Sequence, residues 1–258
     1  MTATLTHSWF MSVRHLRNLV RQPWWVAITL AQPIIWIVLF GALFKRIVEI
    51  PGFGGGSYIT FLTPGIVIMT ALFSGGWNGM TVIQDMDRGV MDRFLVSPAR
   101  RGSLISGRLA YQAAVTVVQS LILIGLGLLL GARFPGGVAG AAVLLVCAVL
   151  LGSAVGALCD GLALLVRNEG TLIAAVQLVL LPLVFLSSGF MQQRLVPGWI
   201  QAVARYNPVN WAVQAGREAL GASVDWGLVL TRGGWLLAFT AACGWLATGA
   251  FRAYQRSV

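Results

Sequence analysis

From Val138 to Val166 the sequence carries one charged residue, Asp160, and no proline. A helix on a soluble protein keeps a polar face for water. This stretch has none, and it exceeds the roughly 20 residues that cross a hydrocarbon core of about 30 Å. Five more apolar runs recur, at 24–44, 58–83, 103–130, 171–191 and 233–251. The six predict an all-α polytopic membrane protein, one transmembrane domain over residues 1–258. Runs beyond 25 residues must tilt or extend past the bilayer. Unbroken apolar periods exclude the alternating strands of an outer-membrane barrel. Composition agrees: 10% of residues are charged, against about 25% in a soluble domain. The 31 Gly and 10 Trp suit membrane helices and their interfaces.

Six spans put both termini on one side. With that side inside, inner segments hold 11 of the 18 basic residues and outer segments 7. Four of those seven, Arg194, Arg205, Arg217 and Arg232, lie in one long segment after the fifth run. Short loops and termini therefore place both ends in the cytoplasm, in a cell membrane. The net charge of +10 reads as topology and contact with anionic lipid headgroups, not as nucleic-acid binding. No cleavable signal peptide is expected, because the first apolar run is of full span length. Before it, Leu5, Trp9, Val13, Leu16 and Val20 share one helical face, and Arg14, Arg17 and Arg21 take the other. Residues 1–23 are thus expected to form an interfacial helix.

Absent chemistry narrows function. The only His, His7 and His15, precede the first run, and no HExxH occurs. Metalloprotease and Ser–His intramembrane protease chemistry are excluded. The only Lys is Lys45, so no GxxxxGK[ST] phosphate loop exists. Cys147, Cys159 and Cys243 lie in apolar stretches without metal or redox spacing and read as packing residues. No catalytic set and no metal site is expected. Asp160 stands late in the fourth run, seven residues before Arg167. It reads as an interfacial or structural acid, with ion coupling as the alternative. Gln32, Gln119 and Gln177 are expected to hydrogen-bond between helices. A stand-alone secondary transporter or channel is the alternative class, disfavoured by so little intramembrane charge.

The charged stretch 84–102 lies between the second and third runs. Val90, Met91, Phe94 and Leu95 form one apolar face of a short helix, with Asp87, Arg88, Asp92 and Arg93 around it. Pro98 ends that helix, and Ser103 is expected to cap the third span. The apolar face suits a groove on a soluble partner, or the membrane, or the chain's own spans. After the fifth run, residues 189–232 combine breakers with apolar Val209, Trp211, Val213 and Leu220. Pro182 is expected to kink the fifth span, and Gly189 to turn the chain. Pro197, Trp199 and Asn207-Pro208 are expected to interrupt helix. A re-entrant segment in the outer half of the membrane answers both demands, and an ordinary external loop is the alternative.

The motif "DRGVMDRFLVSPARRGSLISGRL" resembles the loop between spans two and three of the ABC-2 type transporter permeases, through Gly89, Asp92, Arg93, Ser97, Pro98, Gly107 and Arg108. Val90 departs from the usual Thr. A second stretch, 181–220, resembles the family's fifth span and external segment. Its Pro182, Leu186, Ser188, Gly189, Phe190, Pro197, Trp199, Asn207, Pro208 and Arg217 stand in the family's order. Gln192 and Gln193 stand where a further Pro is frequent. The chain is most similar to the daunorubicin/doxorubicin resistance type of export permease. The resemblance implies half of an exporter, paired with a second permease subunit, identical or different. Separate ATPase subunits would bind ATP-Mg, and this chain would need no cofactor of its own. Gly89, Met91, Asp92, Arg93, Phe94, Leu95, Ser97 and Pro98 would form the coupling helix seated on the ATPase. Phe73, Trp77, Phe185, Ser188, Phe190 and Met191 are the candidate substrate path. Their apolar character favours a drug, antibiotic or lipid, although the same side chains also suit dimer packing.

Overall fold

The computed structural model describes residues 23–49, 57–88 and 102–257. Among them every long element is a helix: α1 (Pro23–Leu43), α2 (Tyr58–Gly76), α3 (Asn78–Asp87), α4 (Gly102–Leu129), α5 (Gly137–Val166), α6 (Glu169–Phe185), α7 (Gly198–Ala204), α8 (Pro208–Leu220) and α9 (Trp226–Ser257). Single 3-10 turns lie at Ile47–Glu49 and Gln193–Leu195. A helix stands at each of the six predicted runs. Four stretches are long and apolar enough to cross a membrane: Tyr58–Asp87, Gly107–Leu129, Gly137–Val166 and Trp226–Phe251. Thr29–Leu43 and Glu169–Phe185 are shorter apolar helices. The interfacial helix expected before residue 23 and the coupling residues from Gly89 to Pro98 lie outside the described residues.

Local chemistry moves several boundaries. The fifth run ends as helix at Phe185 rather than Met191. Pro182 supplies no N–H to the helix ladder, and Ser187, Ser188 and Gly189 follow it. The last long helix begins at Trp226 rather than residue 233, because the Asp225 carboxylate accepts from Leu228 N–H at 3.1 Å and starts it. Ser103 lies inside α4 rather than before it. Asn168 starts α6, its side chain accepting from Thr171 N–H at 2.9 Å. Pro197 and Asn207-Pro208 start helices instead of interrupting them. Pro197 is the N-cap of α7, Trp199 lies within α7, and Pro208 opens α8 after the Asn207 cap. Proline loses nothing at a helix start, where its missing N–H has no partner to forgo.

The core forms around α5, which packs on α2, α3, α4, α8 and α9. Small residues set these approaches. A Cβ added at Gly79 would stand 2.6 Å from the Cys159 carbonyl oxygen. One added at Gly75 would collide with the Gly152 carbonyl, and one at Gly140 with that of Ala219. Backbone-to-backbone contact of this kind needs glycine on at least one side. Helix α2 is buried at every residue from Phe61 to Leu72. Cys147, Cys159 and Cys243 are free thiols buried among these helices, as expected. In α9 the large residues Trp235, Leu237, Trp245 and Leu246 stay exposed, as a lipid-facing side would.

Candidate functional site

Two polar clusters stand at opposite ends of the 58–87 helical run. At the end near Tyr58, the chain leaves α6 and bends through residues 186–191. Backbone polar groups freed from helix at membrane depth need partners, and here side chains supply them. Asn207 Nδ2 donates to the carbonyls of Leu183 and Leu186 at 2.7 and 3.0 Å. Asn210 Oδ1 accepts from Ser188 N–H and Ser188 Oγ at 3.0 and 2.7 Å, while its Nδ2 donates to the Ala204 carbonyl at 2.8 Å. Arg217 Nη2 donates to the carbonyls of Ser188, Gly189 and Phe61 at 3.0, 3.5 and 3.1 Å. Tyr58 Oη donates to the Phe190 carbonyl at 3.1 Å. Gln214 reaches Gln193 at 2.6 Å. Helix α8 is thereby tied to the bend, with Val209, Val213 and Leu220 buried and Trp211 half-buried.

Gly189 makes no left-handed turn, and the close approach at this point is set by Gly65. Positive φ among the described residues occurs only at Gly131, Gly137 and Arg167, whereas a Cβ added at Gly65 would collide with the Gly189 carbonyl. The bend thus lies directly on α2. It delivers Phe190 into an aromatic cluster. The Phe190 ring lies 5.4 Å from Trp36, 5.7 Å from Phe40 and 5.9 Å from Phe185. Trp36 and Phe40 on α1 and Phe44 just past its end stack one turn apart, and Phe44 meets Tyr58 at 5.6 Å. Offset and tilted pairs at such distances are favourable.

The candidate path divides in two. Phe185, Ser188, Phe190 and Met191 lie at this bend and its aromatic cluster. Phe73 and Trp77 instead line a groove of about 190 Å³ between α1, α2 and α6, with Gln32 and Gln177 among its walls. Gln32 and Gln177 are exposed there, contrary to the interhelical bonds expected of them. Gln119 does bridge helices, its Nε2 donating to Thr29 Oγ1 at 3.3 Å.

The second cluster lies where α3, α4 and α5 meet. Arg108 pairs with Asp85 at 3.2 Å, approaches Asp160 at 4.0 Å and donates to Thr81 Oγ1. Asp160 is therefore partnered from α4, not by Arg167, whose Nε faces the Leu164 carbonyl at 3.4 Å. This supports the structural reading of Asp160. One turn further along α4, Gln112 donates to Ser74 and Thr116. No group of three His, Cys, Asp or Glu that could hold a metal occurs among the described residues.

Tyr58, Arg108, Asn207, Asn210 and Arg217 build the two clusters, and none of them stands among the candidate site residues read from the sequence. All but Tyr58 lie within the two family-like stretches, but motif order does not show that a side chain reaches backbone carbonyls far along the chain.

Four helices of membrane-crossing length around one buried core define the class, a helical membrane protein. The chain belongs to the ABC-2 type transporter family, whose model matches residues 6–220. It is 28% identical over 239 residues to a daunorubicin resistance ABC transporter permease protein of Streptomyces coeruleorubidus, covering 89% of this chain and 80% of the relative. It is 27% identical over 193 residues to a protein named "Probable doxorubicin resistance ABC transporter permease protein" in Mycobacterium tuberculosis, covering 74% and 69%.

Proposed function

We propose that this chain is the membrane-spanning permease subunit of an ATP-driven exporter. It moves an amphiphilic or apolar cargo, a drug, antibiotic or lipid, out of the cytoplasm or inner leaflet of the cell membrane. All six apolar helices span, both termini are cytoplasmic, and residues 189–232 form the outer wall. Separate ATPase subunits bind ATP-Mg and dock on the loop 84–102. A second permease subunit, the same chain or a different one, pairs with it, and the apolar surface of Leu178 and Phe185 on α6, 76% and 59% exposed, and of Ile35 on α1, 59% exposed, supports that pairing.

The observation that carries the reading is the aromatic closure around Phe190 in a chain of the ABC-2 family. A resting exporter must be sealed, and bulky apolar rings close a dry gap without fixed charge. The relatives' names, daunorubicin and doxorubicin resistance permeases, support an apolar or amphiphilic cargo. The test is to purify the chain with its ATPase and screen such compounds for stimulated ATP hydrolysis. Stimulation by amphiphiles is expected. Transport by the permease alone, with no ATPase present, would refute the proposal.

Two variants probe the parts. Phe94→Glu places a charge on the apolar face expected of the loop 84–102. Loss of an interface anchor costs about 2 kcal/mol or more, so transport is expected to fail while the permease stays folded. Unchanged transport and complex formation in that variant defeat the coupling assignment. Phe190→Ala removes the ring shared by Trp36, Phe40 and Phe185. Raised leak of a small dye from vesicles is the expected result, whereas Trp226→Ala, at the start of α9, leaves the seal intact.

A further inference from the structure

The bend 186–191 holds Phe190 in place without any hydrogen bond from the Phe190 side chain, which has no polar atom. Its position is set through backbone. Three consecutive carbonyls, those of Ser188, Gly189 and Phe190, accept from side chains outside the bend: the first two from Arg217, the third from Tyr58. Arg217 also anchors itself to α2. Its Nη2 donates to the Phe61 carbonyl, and its guanidinium carbon stands 3.7 Å from the centre of the Phe61 ring. No ion pair to a carboxylate is formed by Arg217 among the described residues. Its Nε is buried and unbonded. A half-buried cation met by neutral carbonyls and one aromatic ring, with no carboxylate among the described residues, is a costly arrangement, so its position carries a consequence for the groups that accept from it.

We infer that Arg217 is the positioning residue of the outer closure. It clamps the bend to α2 and thereby fixes where Phe190 sits, and release of its bonds to Ser188 and Gly189 lets the bend leave the aromatic cluster. The role belongs to arginine. The planar guanidinium lies over the Phe61 ring while its Nη2 meets the carbonyls at the end of a rigid fork, a placement that an ammonium on a flexible stem does not hold. Tyr58 has a lesser share, one neutral hydrogen bond to the Phe190 carbonyl.

The inference rests on the export reading, and its test separates the two. Met191→Cys in the full chain, reconstituted in vesicles, reports the bend through its rate of maleimide labelling. The native thiols Cys147, Cys159 and Cys243 are buried in α5 and α9 and report the bundle. Adding Arg217→Gln or Arg217→Lys is expected to speed labelling at residue 191 about tenfold, as loss of a charge-assisted hydrogen bond implies, with the native thiols unchanged. Tyr58→Phe is expected to give a rise of about twofold to threefold. It keeps the test open if neither Arg217 variant folds. An unchanged rate at residue 191 in the variants that fold overturns the inference. So does an equal rise at the native cysteines, which marks general loosening. Loss of the export reading through absent cargo-stimulated ATP hydrolysis leaves this labelling result standing on its own.

Discussion

Gly75→Leu is expected to yield no stably folded bundle. The Cβ alone would collide with the Gly152 carbonyl and stand 3.1 Å from Gly156 N. Both obstacles are backbone of α5, the helix on which the others pack, so no side-chain rotation relieves them. Separating α2 from α5 would also disturb Gly79 against Cys159, one turn along the same seam. Overpacking a core costs about 1–3 kcal/mol, and more where backbone must shift. Gly244→Leu is the control. Nothing lies within 4 Å of a Cβ at Gly244 on α9, so that variant is expected to melt like the parent. Detergent-purified yield and thermal unfolding measure both. Equal melting of Gly75→Leu and Gly244→Leu would show that α2 and α5 do not approach as described.

The long helices were legible because their signal is local and large. A run such as 138–166 has no water-facing side, and the structure places α5 at Gly137–Val166. Ends were less legible, because they turn on single groups. Asp225 extends α9 back to Trp226 by accepting one N–H, and composition does not show that bond. Proline misled in a regular way: Pro197 and Pro208 mark beginnings, while Pro33, Pro64 and Pro182 lie inside helices that continue past them. The clasp on the bend 186–191 was the least legible feature. In the sequence Arg217 is one basic residue of an external segment and one position of a family-like stretch, and neither shows that it bonds Phe61, 156 positions away. A side chain that captures carbonyls leaves no periodic trace, because any residue type offers the same carbonyl.

The partner of Asp160 shows the same limit and gives the second large effect. Arg167 was the nearer base in sequence, but α5 ends at Arg167 with φ 53 and the chain turns away there. Arg108 comes to Asp160 from α4 instead, and it serves Asp85 as well. The side chains of Arg108 and Asp160 are 25% and 20% exposed, and the Oδ1 of Asp160 has no hydrogen-bond donor. Removing Arg108 therefore strands an acid already short of partners. Breaking a buried pair from one side costs about 3–5 kcal/mol, and partial exposure puts Arg108→Ala at about 3 kcal/mol. Arg167→Ala is expected to cost far less. The decisive variant is double. Asp160→Asn removes the stranded charge, so Arg108→Ala with Asp160→Asn should be more stable than Arg108→Ala alone, a coupling that two independent losses do not give. Thermal unfolding of the four proteins in one detergent measures it. Additive losses would mean that Arg108 and Asp160 do not sense each other, and the charge cluster joining α3, α4 and α5 would then be held by Asp85 alone.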